Sequence, residues 1–163
     1  MGESVQASGD AYFLDTNILM YAAGAPHPLR DPCRQALQRA VDMRVSLVTD
    51  AEVLQEILHR YFAIQRPDAA AAVYRSAVDL CDEVVPITEK DTARALDILR
   101  THAGLTPRGA IHVATMEAAG VRRVLSADRD FDVVPSVQRV DPTEFGGDLG
   151  DSTERIEKEP GSA

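Results

Sequence analysis

Several features that mark membrane-bound or secreted proteins are missing from this sequence. No apolar stretch approaches the roughly 20 residues that a helix needs to span a bilayer. The opening, MGESVQASGD, has neither the basic nor the apolar region of a secretory signal. Cysteine is scarce, since Cys33 and Cys81 are the only two and lack CxxC spacing. We therefore expect a soluble cytoplasmic protein with reduced thiols, a disulfide between the two being the alternative.

Positive charge is also in short supply. The chain has 17 Lys and Arg against 26 Asp and Glu, a net charge of -9, which argues against a protein that grips nucleic acid through a broad basic surface. The two ends, 1–10 and 146–163, account for five of the nine net negative charges. Residues 11–145 are therefore only mildly acidic, and a nucleic-acid partner would have to be held locally, by bound cations and a few arginines.

Sequence motifs of several large enzyme classes do not occur. The chain contains no GxGxxG, GxxxxGK[ST] or GxSxG pattern. This argues against dinucleotide binding, P-loop nucleotide hydrolysis and serine-hydrolase chemistry. His59, His102 and His112 lack the spacing of a zinc site, and no HExxH pattern is present. The histidines by themselves predict no metal centre.

What the sequence does contain is an alternation of strand-like and helix-like segments. Hydrophobic residues make up 45% of the 163 residues, enough for one domain with a sizeable core. Apolar runs and helical spacing predict strands at 11–15, 45–49, 83–87, 123–127 and 136–140, and helices at 16–24, 32–43, 51–62, 67–80, 89–100 and 107–119. Strands joined through helices imply right-handed crossovers and parallel pairing. We predict an α/β fold, a three-layer α/β/α sandwich with a mostly parallel sheet over 11–145, between disordered ends 1–10 and 146–163.

Capping residues predict where three of these helices begin. Asp50 is placed to cap the helix that starts at residue 51. Thr88 and Asp91 resemble a capping box, with Asp in place of the usual Glu. Thr106 and Pro107 suit the N-cap and the first helical position of the last helix.

Acidic side chains are predicted at one edge of the sheet. Asp15 ends the first strand, and Asp128 and Asp130 follow the fourth, where ligands of parallel sheets collect. Glu56 interrupts the apolar stripe of its helix, four residues after Glu52. Carboxylates brought together repel unless a cation lies between them, and oxygen ligands suit Mg²⁺ or Mn²⁺, ions that activate water for attack at phosphorus. The simpler alternatives are a helix cap for Asp15, an Asp-rich turn around Asp128, and a solvated Glu52.

Four segments together resemble the PIN-domain family. LDTNILMY, VLQEIL, LTPRGAIHVAT and VLSADRDFD stand in the order and spacing seen in that family, and they are most similar to its VapC-type toxins from bacterial and archaeal toxin–antitoxin pairs. The resemblance covers 11–145. It implies Mg²⁺- or Mn²⁺-dependent hydrolysis of RNA phosphodiester bonds. It also implies a homodimer and a small antitoxin protein whose C-terminal segment covers the acidic pocket.

The acidic site of the family maps onto this sequence residue by residue. By resemblance, Asp15 matches the first carboxylate, Glu56 the second and Asp128 the fourth. Asp130 matches an additional acid that many members carry. Two further positions match the polar neighbours that help to hold the first carboxylate and the metal, namely Thr16 and Asn17.

The third acid of the family is absent from this chain. The family motif is of the form RDAIH at the start of a helix, whereas residues 108–112 are RGAIH, so Gly109 replaces the Asp. Local stability would favour Asp, which gains roughly 0.3–1 kcal/mol from the helix dipole. Three outcomes follow: the other four acids hold one metal ion, Asp91 substitutes for the missing acid, or the domain is inactive and keeps only its partner-binding role.

Three functions are therefore weighed. In a metal-dependent ribonuclease, Asp15 and Asp128 would be direct ligands and Glu56 a ligand or a positioner of the attacking water. Arg108 would contact an RNA phosphate or else form a surface ion pair. The second function is a degenerate PIN module that dimerises and binds an antitoxin without cleaving RNA, which Gly109 supports. 

The third is a phosphatase of the haloacid-dehalogenase type with Asp15 as nucleophile. The residue two positions on is Asn17 rather than a second Asp, and the only lysines, Lys90 and Lys158, are misplaced for that chemistry.

Overall fold

The computed structural model describes residues 10–147, which form alternating strands and helices. The strands are β1 Tyr12–Leu14, β2 Leu47–Asp50, β3 Glu83–Val85, β4 Arg123–Leu125 and β5 Gln138–Val140. The α-helices are α1 Thr16–Ala23, α2 Arg30–Asp42, α3 Ala51–Ala63, α4 Pro67–Leu80, α5 Glu89–Thr101 and α6 Pro107–Ala119. Every predicted strand and helix is present, with ends that differ by a few residues. A short 3-10 helix, Arg129–Val133, lies in a segment predicted as a loop.

The sheet is parallel throughout its described strands, in the order β3–β2–β1–β4–β5. The chain leaves β1 toward β2 on one side and later returns to β4 on the other. The connections therefore diverge at the carboxyl ends of β1 and β4, which is where a crevice opens in such sheets. Asp15 directly follows β1, and Asp128 lies shortly after β4. The predicted three-layer sandwich is confirmed, with a sheet that is wholly rather than mostly parallel.

The predicted caps fix the starts of the helices that border this crevice. Oδ1 of Asp50 accepts a hydrogen bond from the backbone N–H of Val53 at 3.0 Å, which starts α3. The reciprocal capping box before α5 is formed as predicted. Oγ1 of Thr106 accepts from the N–H of Gly109 at 3.0 Å, and Pro107 occupies the first position of α6. These local bonds fix the residues at which the helices start, and the first turn of α6 lines the same cavity as Asp15 and Asp128.

The core includes a residue close to the end of the described chain. Phe145 is fully buried and packs edge-on against Tyr12 of β1, with ring centroids 5.2 Å apart. Its carbonyl accepts a hydrogen bond from Nη1 of Arg39 at 2.9 Å. The last residue of the predicted domain, Phe145, is therefore itself part of the packed core. The predicted disorder of 1–10 and 146–163 concerns residues that lie, apart from 10, 146 and 147, outside the described range.

Both cysteines carry free thiols. Burial is the main cause that raises the pKa of Cys33 to about 11 and that of Cys81 to about 12. The thiols therefore stay protonated and unreactive at neutral pH. Within residues 10–147, no helix is both long and apolar enough to cross a membrane.

Candidate active site

A cavity of about 470 Å³ opens at the carboxyl ends of β1 and β4. It lies between the starts of α1 and α6, the middle of α3 and the loop after β4. Three of the predicted acids, from three separate parts of the chain, line it together: Asp15, Glu56 and Asp128. The predicted Thr16, Asn17, Arg108 and Gly109 line it as well. The topology thus brings most of the predicted site to one place.

Asp15 is held in this cavity by a network of hydrogen bonds. Its Oδ1 accepts from the N–H of Thr16 at 2.7 Å, so the carboxylate also caps α1. Its Oδ2 accepts from the hydroxyl of Ser126 at 2.6 Å and from Nδ2 of Asn17 at 2.9 Å. Capping and a place in the cavity are therefore not alternatives for Asp15, since the same side chain has both.

Burial dominates the ionisation of Asp15. The residue is only 6% exposed, and desolvation raises the pKa of its carboxyl above the ordinary 3.8. The charge of His112 and the hydrogen bonds from Ser126 and Thr16 act in the opposite direction but do not cancel this effect. A buried carboxylate with a raised pKa in a cavity is typical of a functional site. Its ionised form is the one that a cation would stabilise.

Asp128 is tied to Asp15 through Ser126. The hydroxyl of Ser126 donates to Asp15 and accepts from the backbone N–H of Asp128 at 3.0 Å. Asn17 adds a second link, because its Oδ1 accepts from the N–H of Ala127 at 3.2 Å. Sequence reasoning missed Ser126, although its position at the end of β4, two residues before a candidate ligand, was a usable signal. The two strand ends are therefore fixed relative to each other.

Asp130 is not brought into the cavity. Its N–H donates to Oδ1 of Asp128 at 2.9 Å, which starts the 3-10 helix. Its side chain is half-buried but does not line the cavity formed by Asp15, Glu56 and Asp128. The structure therefore places Asp130 beside the site rather than in it, and its assignment as a ligand stays a prediction.

Glu56 is engaged by two arginines. Its Oε1 lies 3.1 Å from Nη2 of Arg60 and 3.0 Å from Nη1 of Arg108. Nε of Arg108 also donates to Oε1 of Glu52 at 3.0 Å. Of the two roles weighed for Arg108, the structure shows the ion pair, which joins α6 to α3. Glu52 was expected to be a solvated residue and instead pairs with Arg108, because α6 packs its first turn against α3.

Gly109 fits a tight space at the start of α6. A Cβ added there would lie 2.9 Å from Cδ1 of Leu105 and 3.2 Å from Oγ1 of Thr106. Cδ1 is the far end of a flexible side chain, so a larger residue requires Leu105 to turn away. The position is buried and lines the cavity. The cavity thus has a bare helix start where the family has a carboxylate.

A buried pair that sequence reasoning missed lies beneath this helix start. Asp50, fully buried, accepts from Nδ1 of His112 at 2.7 Å and from the hydroxyl of Thr115 at 2.8 Å. Because a carboxylate only accepts, Nδ1 carries a proton and Nε2 is the ring nitrogen left over. His112 follows Gly109 by one helical turn and also lines the cavity. That spacing on α6 was the available signal.

The ionisation of His112 responds to the acids around it. Burial lowers the pKa of the imidazole, but the hydrogen bond and charge of Asp50, followed by the charges of Asp15 and Glu56, raise it above the ordinary 6.5. The stabilisation from this pair is thus fully present below about pH 6.5 and is lost as the pH rises through the higher folded-state pKa.

We therefore expect the free energy of unfolding to fall with rising pH above about 6.5, and this slope to be smaller in His112→Gln. Urea unfolding across a pH series measures it. His59→Gln, at an exposed position on α3, is the matched control and should follow the parent. Equal slopes in the parent and in His112→Gln would contradict the assignment.

Two buried side-chain polar atoms in the described part of the chain have no hydrogen-bond partner, Oγ1 of Thr16 and Nε2 of His112. Both residues line this cavity. Buried polar atoms are rarely left without partners, and such an atom in a cavity is typical of a ligand contact. The cavity is therefore shaped for a polar ligand.

The donors on the acidic side fit a hard cation. Among residues 10–147, no three His, Cys, Asp or Glu side chains are gathered closely enough to hold a metal ion by themselves. Asp15, Asp128 and the unpartnered hydroxyl of Thr16 nevertheless offer oxygen atoms only. Mg²⁺ keeps several waters and commonly binds through one or two carboxylates. The residues present suit an ion of that kind, with water completing its coordination.

Several known proteins are similar to this chain in sequence. Residues 12–137 match the model of the PIN domain. Ribonuclease VapC13 of Mycobacterium tuberculosis is 41% identical over 127 residues, which cover 78% of this chain and 97% of that protein. Ribonuclease VapC7 of the same species is 37% identical over 134 residues, covering 82% and 92%.

Solved structures share the fold. The crystal structure of VapC20 of Mycobacterium tuberculosis, described as a Sarcin-Ricin loop cleaving toxin, aligns with a TM-score of 0.62 at 19% identity, covering 76% of this chain and 95% of that one. VapBC2 of Rickettsia felis, bound to a DNA fragment from its promoter, aligns with a TM-score of 0.63 at 15% identity, covering 80% and 98%. The extent of the family match and of the identity to the curated relatives shows that the chain belongs to the PIN-domain family, in the group of the VapC ribonucleases.

Proposed function

We propose that this protein is a divalent-metal-dependent endoribonuclease that acts as the toxin of a toxin–antitoxin pair. The observation that carries the proposal is the meeting of Asp15, Glu56 and Asp128 in one cavity at the switch point of a parallel sheet. Two arginines offset the charge of Glu56, whereas Asp15 and Asp128 lie on the other side of the cavity, where a cation would offset their mutual repulsion. The identity to VapC ribonucleases supports RNA as the substrate.

Asp15 and Asp128 are the proposed ion ligands. Ser126 and Asn17 hold Asp15 in one orientation, and the bond from the N–H of Asp128 to Ser126 holds the second carboxylate beside the first. Thr16 offers its free hydroxyl on the same side. The ion, Mg²⁺ or Mn²⁺, supplies an activated water and charge stabilisation for displacement at phosphorus when bound. The network on this side of the cavity fixes where that chemistry takes place.

Glu56 has a different environment and a different proposed role. Its Oε1 is held between Arg60 and Arg108, so its charge is already offset without an ion. We assign it to hydrogen bonding with the attacking water rather than to direct coordination. Arg60 and Arg108, whose side chains are 56% and 39% exposed, are free on their outer sides to meet the RNA backbone, since guanidinium groups pair well with phosphate.

The partner assignment rests on relatives whose structures contain both proteins. Solved neighbours include toxin–antitoxin complexes such as VapBC from Salmonella typhimurium bound to DNA, at 15% identity and a TM-score of 0.63. We propose a small antitoxin that covers the same acidic cavity and blocks access of RNA. A homodimer in the cytoplasm is the proposed assembly.

RNA cleavage with and without divalent ions tests the proposal. The protein should cleave single-stranded RNA with Mg²⁺ or Mn²⁺ and lose more than about a hundredfold in rate with EDTA. Activity should return when the ion is added back in excess. Cleavage that persists unchanged in EDTA would show that the acidic cavity is not the reacting site.

A second arm of that experiment asks whether the missing third acid matters. Gly109→Asp supplies the carboxylate of the family, and Gly109→Ala is the matched control, because both require Leu105 to turn away. We expect the parent to be active without this acid. If the parent does not cleave RNA and only Gly109→Asp does, the chain is instead a nuclease that has lost its activity together with the third acid.

A further inference from the structure

The wall of the cavity formed by α6 differs in character from the wall that carries Asp15 and Asp128. Its first turn presents the start of a 13-residue helix, with Gly109 leaving the backbone uncovered and Arg108 beside it. A helix start carries partial positive charge, which favours anions even though the N–H of Gly109 is already bound to Oγ1 of Thr106. One turn further along the helix lies His112, 2% exposed, with Nε2 unpartnered.

The second ring nitrogen of His112, Nε2, is the side-chain polar atom of this wall that has no partner. Nδ1 is bound to the buried carboxylate of Asp50 at 2.7 Å, and that carboxylate favours the doubly protonated ring, in which Nε2 also carries a proton. Thr115 completes the pair by donating to the same oxygen of Asp50 at 2.8 Å. These bonds hold the imidazole ring in one orientation. Its remaining polar atom is available to the cavity that the residue lines.

The overall charge of the cavity permits an anion there. Three carboxylates line it, together with the guanidinium groups of Arg60 and Arg108, and both guanidinium groups contact Glu56. The uncompensated negative charge is therefore concentrated on the side of Asp15 and Asp128. The α6 side has no carboxylate of its own among the residues that line the cavity, because Gly109 stands where the family has Asp.

We propose that the start of α6, Gly109 and Nε2 of His112 form a binding site for a phosphate group of the RNA backbone. Rather than only removing a ligand, Gly109 turns the position of the third acid into an oxyanion contact. A phosphate at this wall faces the ion ligands across the cavity, so RNA is held by the protein on one side and by the ion on the other. This inference rests on the proposed ribonuclease function and adds a substrate contact to it.

Binding of inorganic phosphate, followed by NMR of ¹⁵N-labelled histidines in the full chain, tests the site directly. EDTA is present in the phosphate and RNA titrations, so that no RNA chemistry and no bound ion contribute, and a separate Mg²⁺ titration is run without EDTA and without phosphate. His112→Gln assigns the resonance of His112 among the four histidines. We expect phosphate to shift the Nε2 signal of His112 in a saturable way, and a short single-stranded RNA to do the same.

The two variants at position 109 separate charge from bulk. Gly109→Asp should weaken phosphate binding by at least about tenfold, because it places a carboxylate on the anion. Gly109→Ala should weaken the binding clearly less than Gly109→Asp, since it adds a first carbon and requires the same movement of Leu105 without adding charge. Retained chemical shifts for the other histidines show that each variant is folded.

Three results would overturn the site. These are the absence of a saturable shift at His112, equal affinity of Gly109→Asp and the parent, and a larger shift of Nε2 with Mg²⁺ alone than with phosphate. The last would make His112 an ion ligand instead. Each is distinguishable from failure of the proposed function, which is measured by metal-dependent RNA cleavage. If the protein cleaves RNA but phosphate does not shift the Nε2 signal of His112, the phosphate site is refuted and the ribonuclease assignment is not.

Discussion

Asp15→Asn is expected to lose more than about a hundredfold in RNA cleavage while remaining as stable as the parent, or more stable, at pH 7. Replacing an outer partner of a metal ligand alone costs about 10–100-fold, so loss of a proposed ligand's charge should cost more. Asn is as good an N-cap as Asp, and it keeps an oxygen for the N–H of Thr16 that Asp15 now binds at 2.7 Å. The amide nitrogen of Asn replaces Oδ2, which accepts from Ser126 and Asn17. The hydroxyl of Ser126 can turn to accept instead, and Asn17 keeps its bond to that hydroxyl at 3.0 Å, so the variant mainly removes the charge.

The stability half of this prediction follows from the pKa of Asp15. Burial raises that pKa above the ordinary 3.8, so the folded state binds its proton more tightly than the unfolded chain does. Above the folded-state pKa, the ionised group therefore lowers the free energy of unfolding, and below about 3.8 this effect is absent. Asn at this position is never charged. Its introduction removes the cost of a buried charge, as is common where activity and stability conflict.

Single-turnover RNA cleavage and urea unfolding at pH 7 measure the two halves. Asp31→Asn is the matched control: it removes the same charge from a side chain that is 72% exposed and does not line the cavity. It should change stability by less than about 0.5 kcal/mol and leave cleavage as it was. Cleavage by Asp15→Asn at the parent rate would refute the site, and a loss of stability of more than about 2 kcal/mol would refute the account of the buried charge.

Asp50→Ala should destabilise the fold by about 3–5 kcal/mol, the cost of breaking a buried charged pair by removing one partner. Asp50 is fully buried and accepts three hydrogen bonds: from the N–H of Val53 at 3.0 Å, from Nδ1 of His112 at 2.7 Å, and from the hydroxyl of Thr115 at 2.8 Å. Alanine leaves the N–H of Val53 and Nδ1 of His112 without this acceptor, while the hydroxyl of Thr115 keeps the carbonyl of His112 at 2.9 Å. It also removes the cap of α3.

Two comparisons identify the cause of that loss. Asp50→Asn keeps an oxygen for the helix cap and should cost less than Asp50→Ala, since only the oxygen that binds His112 and Thr115 is altered. Asp91→Ala is the control for capping alone. Asp91 is also buried, and its Oδ2 accepts at 2.8 Å from both the backbone N–H and the hydroxyl of Thr88. It should cost about 1 kcal/mol. Equal effects of Asp50→Ala and Asp91→Ala in urea unfolding would mean that the pairing with His112 adds nothing.

Much of the fold follows from patterns within short stretches of the chain. Apolar runs predicted all five strands, and the caps at Asp50, Thr88 and Thr106 predicted where α3, α5 and α6 begin. These features depend on hydrogen bonds between residues a few positions apart, which a sequence displays directly. Strand ends were less certain, because pairing with a neighbour decides where a ladder stops. The 3-10 helix after β4 was missed, although its start depends on an equally local bond, from the N–H of Asp130 to Oδ1 of Asp128.

The candidate site likewise combines features that the sequence predicts with features that depend on tertiary packing. The sequence by itself determined that Asp15 and Asp128 would meet, because parallel strands bring their carboxyl ends to one edge. Only the tertiary structure decided the surroundings of Glu56, whose partner Arg108 comes from another helix. It also decided that Asp50 would bind His112, a contact across 62 positions. Such contacts depend on how helices pack side by side on the sheet, and helical spacing fixes which face is buried without fixing what that face meets.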